Sequence, residues 1–108
     1  MGREIDVQTF AEAYADGAFV VDVSEPREYL DGHVPGAVPM PLPQVLARQA
    51  ELIRHRPVFV VCTSGLRSRI VTDWLGARGI DAVSVAGGTT AWVAHGRPIV
   101  RGSAPTAT

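Results

Sequence analysis

The sequence predicts an α/β protein with an open, mainly parallel sheet covered by helices on both faces. Two short β-branched and aromatic runs, "AFVVDV" and "PVFVV", have the apolar character of strands buried on both faces. Each run is followed by a segment whose apolar residues have helical spacing, and glycine or proline lies near the boundaries between strand and helix. This alternation favours a parallel sheet, because parallel strands need a crossover connection that is usually a helix.

A single domain is expected, because 108 residues suit one hydrophobic core and are too few for two. We predict that this domain occupies residues 1–100. Residues 101–108, "RGSAPTAT", are small and polar, with too little apolar surface to offset the entropy of ordering them. We therefore predict a flexible C-terminal tail.

The charge balance argues against several classes of partner. Ten basic and eleven acidic side chains leave a formal net charge of −1, with no strongly basic face to attract nucleic acid or anionic lipid. Apolar runs such as "AFVV" are far shorter than the roughly 18 residues of a membrane span, and the first residues lack an apolar signal core. We expect a soluble, cytoplasmic protein with neither nucleic-acid nor membrane partners.

The first half of the chain predicts helix, strand and helix. Thr9 is the expected N-cap of the first helix, Glu12 completes a capping box, and Gly17 ends the helix. The strand "AFVVDV" follows. A short helix is then predicted near Pro26, before a tight loop. The loop contains the helix breakers Gly32, Pro35 and Gly36.

The second half repeats the alternation. "PLPQVLARQAELIRH" has helical spacing of its apolar residues, and "PVFVV" is the next strand. After Cys62, apolar residues recur at helical offsets from Leu66 to Leu75, and Gly79 is the expected left-handed C-cap. "IDAVSVAGG" predicts another strand with a glycine exit, and "TTAWVAHG" predicts the last helix.

Cys62 stands where a buried strand passes into a helix, which is where open α/β sheets bind ligands. The small residues of "CTSGLRS" allow the backbone to curl with several amides pointing inward, and the helix beginning near Leu66 adds its positive dipole end. Such donors favour thiolate over thiol, and the thiolate is the nucleophile. The pattern predicts an anion-binding cradle around a reactive thiol, with Arg67 and Arg69 adding positive charge.

An inert core cysteine is the alternative, because free cysteine is among the most buried residue types. We prefer the reactive thiol, since a core residue needs neither a glycine three positions on nor an arginine five positions on. The chain's one cysteine excludes an internal disulfide and has no partner for a CxxC metal or redox site. No metal or organic cofactor is expected.

Three separated motifs resemble the rhodanese domain family of sulfurtransferases: "VVDVSEPREYLDGHVPGAV", "CTSGLRS" and "VSVAGGTTAW". The resemblance extends from Ile5 to about Pro98. It implies a rhodanese-like open parallel sheet of about five strands, flanked by helices on both faces. It also implies a thiosulfate sulfurtransferase, whose cysteine takes sulfane sulfur from a small anionic donor and passes it from a persulfide to cyanide, a thiol or a protein.

The resemblance makes Cys62 the nucleophile and sulfur carrier. The implied substrate-binding loop comprises Thr63, Ser64, Gly65, Leu66 and Arg67. The implied loop-supporting residues are Asp22, Glu28 and Ser68. Two roles stay open for the arginine: it contacts an anionic donor, or it forms an ion pair with one of the two carboxylates. We favour the ion pair, because Asp22 ends a strand at the same edge of the sheet.

Other positions of the family pattern are interpreted as architectural. Gly87 and Gly88 match a double glycine where backbones approach closely, and Trp74 and Trp92 are expected to pack rather than to bind ligands. His33 is expected to shape its loop. The two histidines expected to be solvated are His55 and His95.

One departure from the family pattern is Ser24, where the family often has an arginine that would brace Glu28 or the active-site loop.

Two rival functions remain at this stage. A cysteine phosphatase or arsenate reductase would use a similar cradle, but such sites need a longer loop than the four residues between Cys62 and Arg67. The other rival is a rhodanese-like module without enzymatic activity, which binds a partner, senses sulfur or carries persulfide for a partner protein. The retained cysteine and intact loop favour the sulfurtransferase over a dead domain.

Overall fold

The computed structural model describes residues 3–106, so Met1, Gly2 and residues 107–108 of the predicted domain and tail lie outside the described residues. Within that range the strands β1 to β5 are Arg3–Ile5, Phe19–Asp22, Val38–Pro39, Val58–Val61 and Ala82–Val85. The helices α1 to α5 are Val7–Ala15, Pro26–Asp31, Leu42–Leu52, Leu66–Ala77 and Gly88–Ala94. No helix within residues 3–106 combines the length and apolar content needed to cross a bilayer.

The five strands form one sheet in the order β1-β5-β4-β2-β3, and every neighbouring pair is parallel. The predicted open parallel sheet of about five strands is therefore confirmed. β4 lies at its centre, between β5 and β2, and its four residues are all buried. Because the strands are parallel, the loops that follow β2, β4 and β5 all leave the sheet at its carboxyl edge.

Two apolar cores cover the two faces of the sheet. Along β4, successive side chains point to opposite faces, so Val60 and Cys62 join one core while Phe59 and Val61 join the other. Helices α3 and α4 cover the first face, and α1 and α5 cover the second. Burying a valine side chain in this way stabilises the fold by roughly 1.5 to 3 kcal/mol relative to exposure.

The structure corrects the predicted start of the first helix. Asp6, not Thr9, is the N-cap of α1, and its carboxylate accepts the amide hydrogen of Thr9 at 2.8 Å. The helix begins earlier because β1 ends at Ile5 and leaves Asp6 in an extended conformation directly before it. A capping box does occur, but at Glu25 and Glu28 at the start of α2.

The residue pattern did not indicate β1 or β3. These strands have only three and two residues, too short for an alternation of apolar and polar side chains to be visible. They form because their neighbours supply hydrogen-bonding edges: β1 pairs with β5, and β3 pairs with β2.

Residues 102–105 of the predicted tail contact α2 and the loop between α2 and β3. The amide of Gly102 donates to the carbonyl of Leu30 at 3.0 Å, and the amide of Gly36 donates to the carbonyl of Pro105 at 2.9 Å. Composition does not reveal such contacts, because backbone groups make them whatever the side chain. The domain boundary at residue 100 and the flexibility of the tail stay predictions.

The three histidines have different environments. The buried ring of His33 stacks on Tyr29 with 3.6 Å between ring centroids, and its Nδ1 lies 2.8 Å from the Tyr29 carbonyl, in keeping with a loop-shaping role. His95 is exposed. The expectation of a solvated His55 is wrong in part, because its half-buried ring stacks on Phe19 at 3.6 Å.

Candidate active site

The Cys62 sulfur lies at the end of β4, beneath the loop that leads into α4. The residue is fully buried, and its Sγ accepts hydrogen bonds from two backbone amides, Gly65 at 3.0 Å and Ser68 at 3.4 Å. Both donors lie at the start of α4, whose dipole also places positive potential on the sulfur. The hydrogen bonds that reach the sulfur thus come from fixed backbone donors rather than from a basic side chain.

Gly65 makes this turn sterically feasible. Its φ of +96° lies in the left-handed region, where a side chain is strained, and an added Cβ would lie 2.9 Å from the amide nitrogen of Gly87. The turn brings the Gly65 amide back toward Cys62 and begins α4 immediately afterwards. This agrees with the expectation that the loop glycine lets the backbone curl around the thiol.

The start of α5 packs directly against the loop between Cys62 and Arg67. The amide of Thr89 donates to the Cys62 carbonyl at 2.9 Å, and the amide of Thr90 donates to the Thr63 carbonyl at 3.1 Å. A Cβ on Gly88 would lie 1.9 Å from the Cys62 carbonyl oxygen, so no side chain fits there without displacing the loop. The double glycine thus provides the close backbone approach that its sequence position suggests.

Arg67 forms an ion pair with Glu28. Two parallel hydrogen bonds, 2.6 Å and 2.9 Å long, join the guanidinium to the carboxylate. The Thr63 hydroxyl donates to the same carboxylate at 3.2 Å. Of the two carboxylates that the sequence left open, Glu28 is the partner, and it ties α2 to both ends of the loop.

Asp22 supports a different turn. Its buried carboxylate accepts the amide hydrogen of Ser24 at 2.8 Å, and its carbonyl accepts the amide hydrogen of Met40 at 2.8 Å. Burial raises the pKa of Asp22, and the hydrogen bonds from Ser24 oppose that rise. Asp22 therefore braces the turn after β2, and Ser24 serves this turn through its backbone amide.

The ion pair leaves little free charge beside the thiol. The hydrogen bonds from Arg67 are the main reason why the pKa of Glu28 falls from 4.5 to about 2, and the same contact raises the pKa of Arg67. Each charge is largely offset by its partner across the physiological pH range. The hydrogen-bond donors that face the sulfur are backbone amides, those of Gly65 and Ser68.

Ser68 and Ser84 form a buried polar contact beneath the loop. The Ser68 hydroxyl donates to the Gly65 carbonyl at 3.1 Å and lies 2.8 Å from the Ser84 hydroxyl. Both residues are buried. Sequence reasoning included Ser68 but missed Ser84, whose signal is a single polar residue within the otherwise apolar strand "AVSV".

The loop side chains that face outward define the mouth of the site. Thr63 is half-buried, whereas Ser64 and Leu66 are exposed. Thr63 borders a cavity of about 360 Å³ between α2 and α5, with Glu28 on one side and Thr89 and Val93 on the other. Within residues 3–106, no group of three or more histidine, cysteine, aspartate or glutamate side chains is placed to hold a metal ion.

Comparison with known proteins gives consistent matches across the chain. A family model described as a rhodanese-like domain matches residues 6–95. A sulfurtransferase from Allochromatium vinosum is 34% identical over 103 residues, which cover 93% of this chain and 96% of the relative. A thiosulfate sulfurtransferase from Pseudoalteromonas translucida is 28% identical, with 81% of this chain and 84% of the relative covered.

A solved structure also matches most of the chain. The crystal structure of a rhodanese-related protein from Thermoplasma volcanium superposes with a TM-score of 0.83 at 28% identity. The match covers 91% of this chain and 97% of the other.

The contact at Gly88 predicts a strong effect of one added methyl group. We expect Gly88→Ala to destabilise the fold by about 3 kcal/mol or more, because the Cβ would overlap the Cys62 carbonyl. Gly79→Ala is the matched control, since its φ of +79° is also left-handed but nothing lies within 4 Å of the added Cβ. It should cost about 1 kcal/mol. Urea unfolding measures both changes, and equal costs would contradict the steric argument.

The Glu28 ion pair predicts a pH-dependent contribution to stability. A carboxylate whose pKa is lowered by folding stabilises the fold above its unfolded value of 4.5, and this stabilisation is lost as the pH falls towards 2. The paired side chains are 29% and 35% exposed, so solvent screening limits the loss to about 1 kcal/mol. We expect Glu28→Gln to lack this component of the acid-induced loss.

Urea unfolding followed by tryptophan fluorescence across acidic pH measures the difference between the two proteins. Glu12→Gln is a control, because Glu12 is exposed on α1 and forms no ion pair within residues 3–106. If Glu28→Gln and the unchanged protein lose stability in parallel as the pH falls, the stabilising role of the ion pair is refuted.

Proposed function

The chain belongs to the rhodanese-like domain family, and from this premise we propose that it is a thiosulfate sulfurtransferase acting through a persulfide on Cys62. One observation carries the proposal: the Cys62 sulfur is held by the amides of Gly65 and Ser68 at the start of α4. The donor is a small anion such as thiosulfate, and the acceptor is cyanide, a thiol or a protein.

The proposed reaction is a double displacement. The Cys62 thiolate attacks the outer sulfur of thiosulfate, a new S–S bond forms, and the old S–S bond breaks with its electron pair leaving on sulfite. An acceptor then attacks the outer sulfur of the persulfide. Cyanide leaves as thiocyanate, and the electron pair of the broken S–S bond restores the thiolate. No net oxidation of the protein occurs, and the amides of Gly65 and Ser68 stabilise the anionic sulfur.

The loop geometry supports sulfur transfer over phosphate chemistry. Arg67 is already engaged by two hydrogen bonds to Glu28, which occupy both terminal nitrogens of its guanidinium. Only four residues separate it from Cys62, so few amides are available to surround a tetrahedral oxyanion.

A reducing compartment such as the cytoplasm keeps a free catalytic thiol reduced, which supports the predicted location.

Intact-mass spectrometry before and after incubation with thiosulfate tests the proposal. We expect a gain of about one sulfur atom that is removed by cyanide. Cys62→Ala should show no gain and no transfer while retaining the fold, as checked by circular dichroism. No gain from thiosulfate or other sulfane donors would favour a binding or sensing module instead. Turnover of a phosphomonoester that depends on Cys62 would favour the phosphatase alternative.

A second candidate function, persulfide carriage to a partner protein, is favoured by an apolar surface that begins at the active-site loop. Leu66, Ile70 and Leu46 are 69%, 65% and 60% exposed. A groove of about 360 Å³ between α3 and α4 is lined by Leu46, Ile70 and Trp74. A polypeptide whose cysteine is flanked by apolar side chains suits this surface, because the cysteine would reach Cys62 while its neighbours cover the leucines.

Two synthetic cysteine peptides test this candidate, one with leucine and one with glycine on either side of the cysteine. We expect persulfidated protein to transfer sulfur about fivefold faster to the leucine-flanked peptide. Ile70→Glu should remove that advantage without changing transfer to cyanide. Ile53→Glu is the control, since Ile53 is 55% exposed but follows the other end of α3. Equal rates for both peptides would contradict protein carriage by this surface.

A further inference from the structure

Ser84 is a buried hydroxyl in a strand that is otherwise apolar. It lies on β5 between Val83 and Val85, and only 1% of its surface is exposed. A hydroxyl buried without a hydrogen bond costs free energy, so its contact determines whether it is tolerated. That contact is with the Ser68 hydroxyl, 2.8 Å away at the start of α4.

The direction of the hydrogen bonds follows from their partners. Ser68 donates its hydroxyl proton to the Gly65 carbonyl at 3.1 Å, and a carbonyl oxygen can only accept. A hydroxyl has one proton, so Ser84 must be the donor to Ser68. The result is a directed chain from the sheet, through the first turn of α4, to the backbone of the loop.

This series of hydrogen bonds ends at the two residues whose amides contact the Cys62 sulfur. Ser68 donates its own amide to the Cys62 sulfur, and Gly65 supplies the other amide. We propose that Ser84 is a positioning residue, whose hydroxyl acts through Ser68 to hold both amides on the sulfur of Cys62. This role deepens the proposed sulfurtransferase function and rests on it. Within residues 3–106, the hydrogen bonds to the sulfur come from Gly65 and Ser68 and not from Ser84 itself.

The chain offers a matched control one turn further along α4. The Thr72 hydroxyl is also buried, with 1% of the residue exposed, but within residues 3–106 it has no hydrogen-bond partner. Thr72→Val removes a buried hydroxyl while keeping the side-chain volume. It therefore changes the polarity of the buried face of α4 but leaves the hydrogen bonds that join Ser84, Ser68 and Gly65 in place.

Alkylation by iodoacetamide at neutral pH tests the positioning role, because its rate depends on how well the loop stabilises the attacking thiolate. We expect Ser84→Ala to lower the rate constant about fivefold, the loss of one buried hydrogen bond. Thr72→Val should stay within about twofold of the unchanged protein. Thermal melting of all variants shows whether any fall in rate follows global stability. A rate for Ser84→Ala equal to or above that of the unchanged protein would overturn the proposal.

A double-mutant cycle with Ser68→Ala tests whether Ser84 acts through Ser68. If it does, adding Ser84→Ala to Ser68→Ala produces no further fall in the alkylation rate. Independent, multiplying effects would overturn the relay. If Ser84→Ala does not fold, the test is made with Ser68→Ala alone, because this variant keeps the Ser68 amide but loses the hydrogen bond from its hydroxyl to Gly65. An unchanged alkylation rate for Ser68→Ala would also refute the proposal.

The alkylation result is separable from the sulfurtransferase proposal. Iodoacetamide needs no sulfur donor, so a slow Ser84→Ala variant supports positioning even if thiosulfate fails to load the unchanged protein. If thiosulfate adds sulfur to the unchanged protein but Ser84→Ala does not alter the alkylation rate, the sulfurtransferase proposal stands and the positioning role of Ser84 is refuted.

Discussion

The contact between the Cys62 carbonyl and the start of α5 is the constraint on which the active site depends. A backbone oxygen approaches so closely that only glycine fits at Gly88, and the amide of Thr89 completes the contact. This contact joins the loop after the central strand β4 to α5, which follows the neighbouring strand β5. With the loop held from that side, Gly65 can adopt its left-handed turn and aim its amide at the sulfur.

A second tie holds the loop from the opposite side. Glu28 accepts hydrogen bonds from Arg67 and Thr63, so α2 is joined to the loop before and after its glycine turn. Arg67 is thereby paired with Glu28, and the donors that face the sulfur are the backbone amides of Gly65 and Ser68. Backbone donors on a braced loop need no reorganisation when a sulfur becomes anionic, which is the physical advantage of this arrangement over a mobile cation.

Residues that combine several local signals could be predicted, and residues whose role depends on distant contacts could not. Cys62 was identifiable because an apolar strand, a glycine and a helix start occur together around it. The choice of Glu28 over Asp22 as the partner of Arg67 depends on where α2 lies against the loop. Asp6 was missed as a helix cap because the three-residue strand before it leaves no visible pattern. His55 pairs with Phe19 across 36 positions of sequence, beyond any local signal.

The amino-acid sequence by itself determined the layered architecture and the chemistry available to it. Apolar runs that alternate with helical spacing specify parallel strands and crossover helices, and the glycine-containing loop after Cys62 favours a backbone that curls around the thiol. The tertiary structure alone decided which side chains reach the loop. Ser84, Glu28 and Gly88 come from three separate elements. Each contacts the segment from Cys62 to Ser68, because parallel strands bring their carboxyl ends to one edge of the sheet.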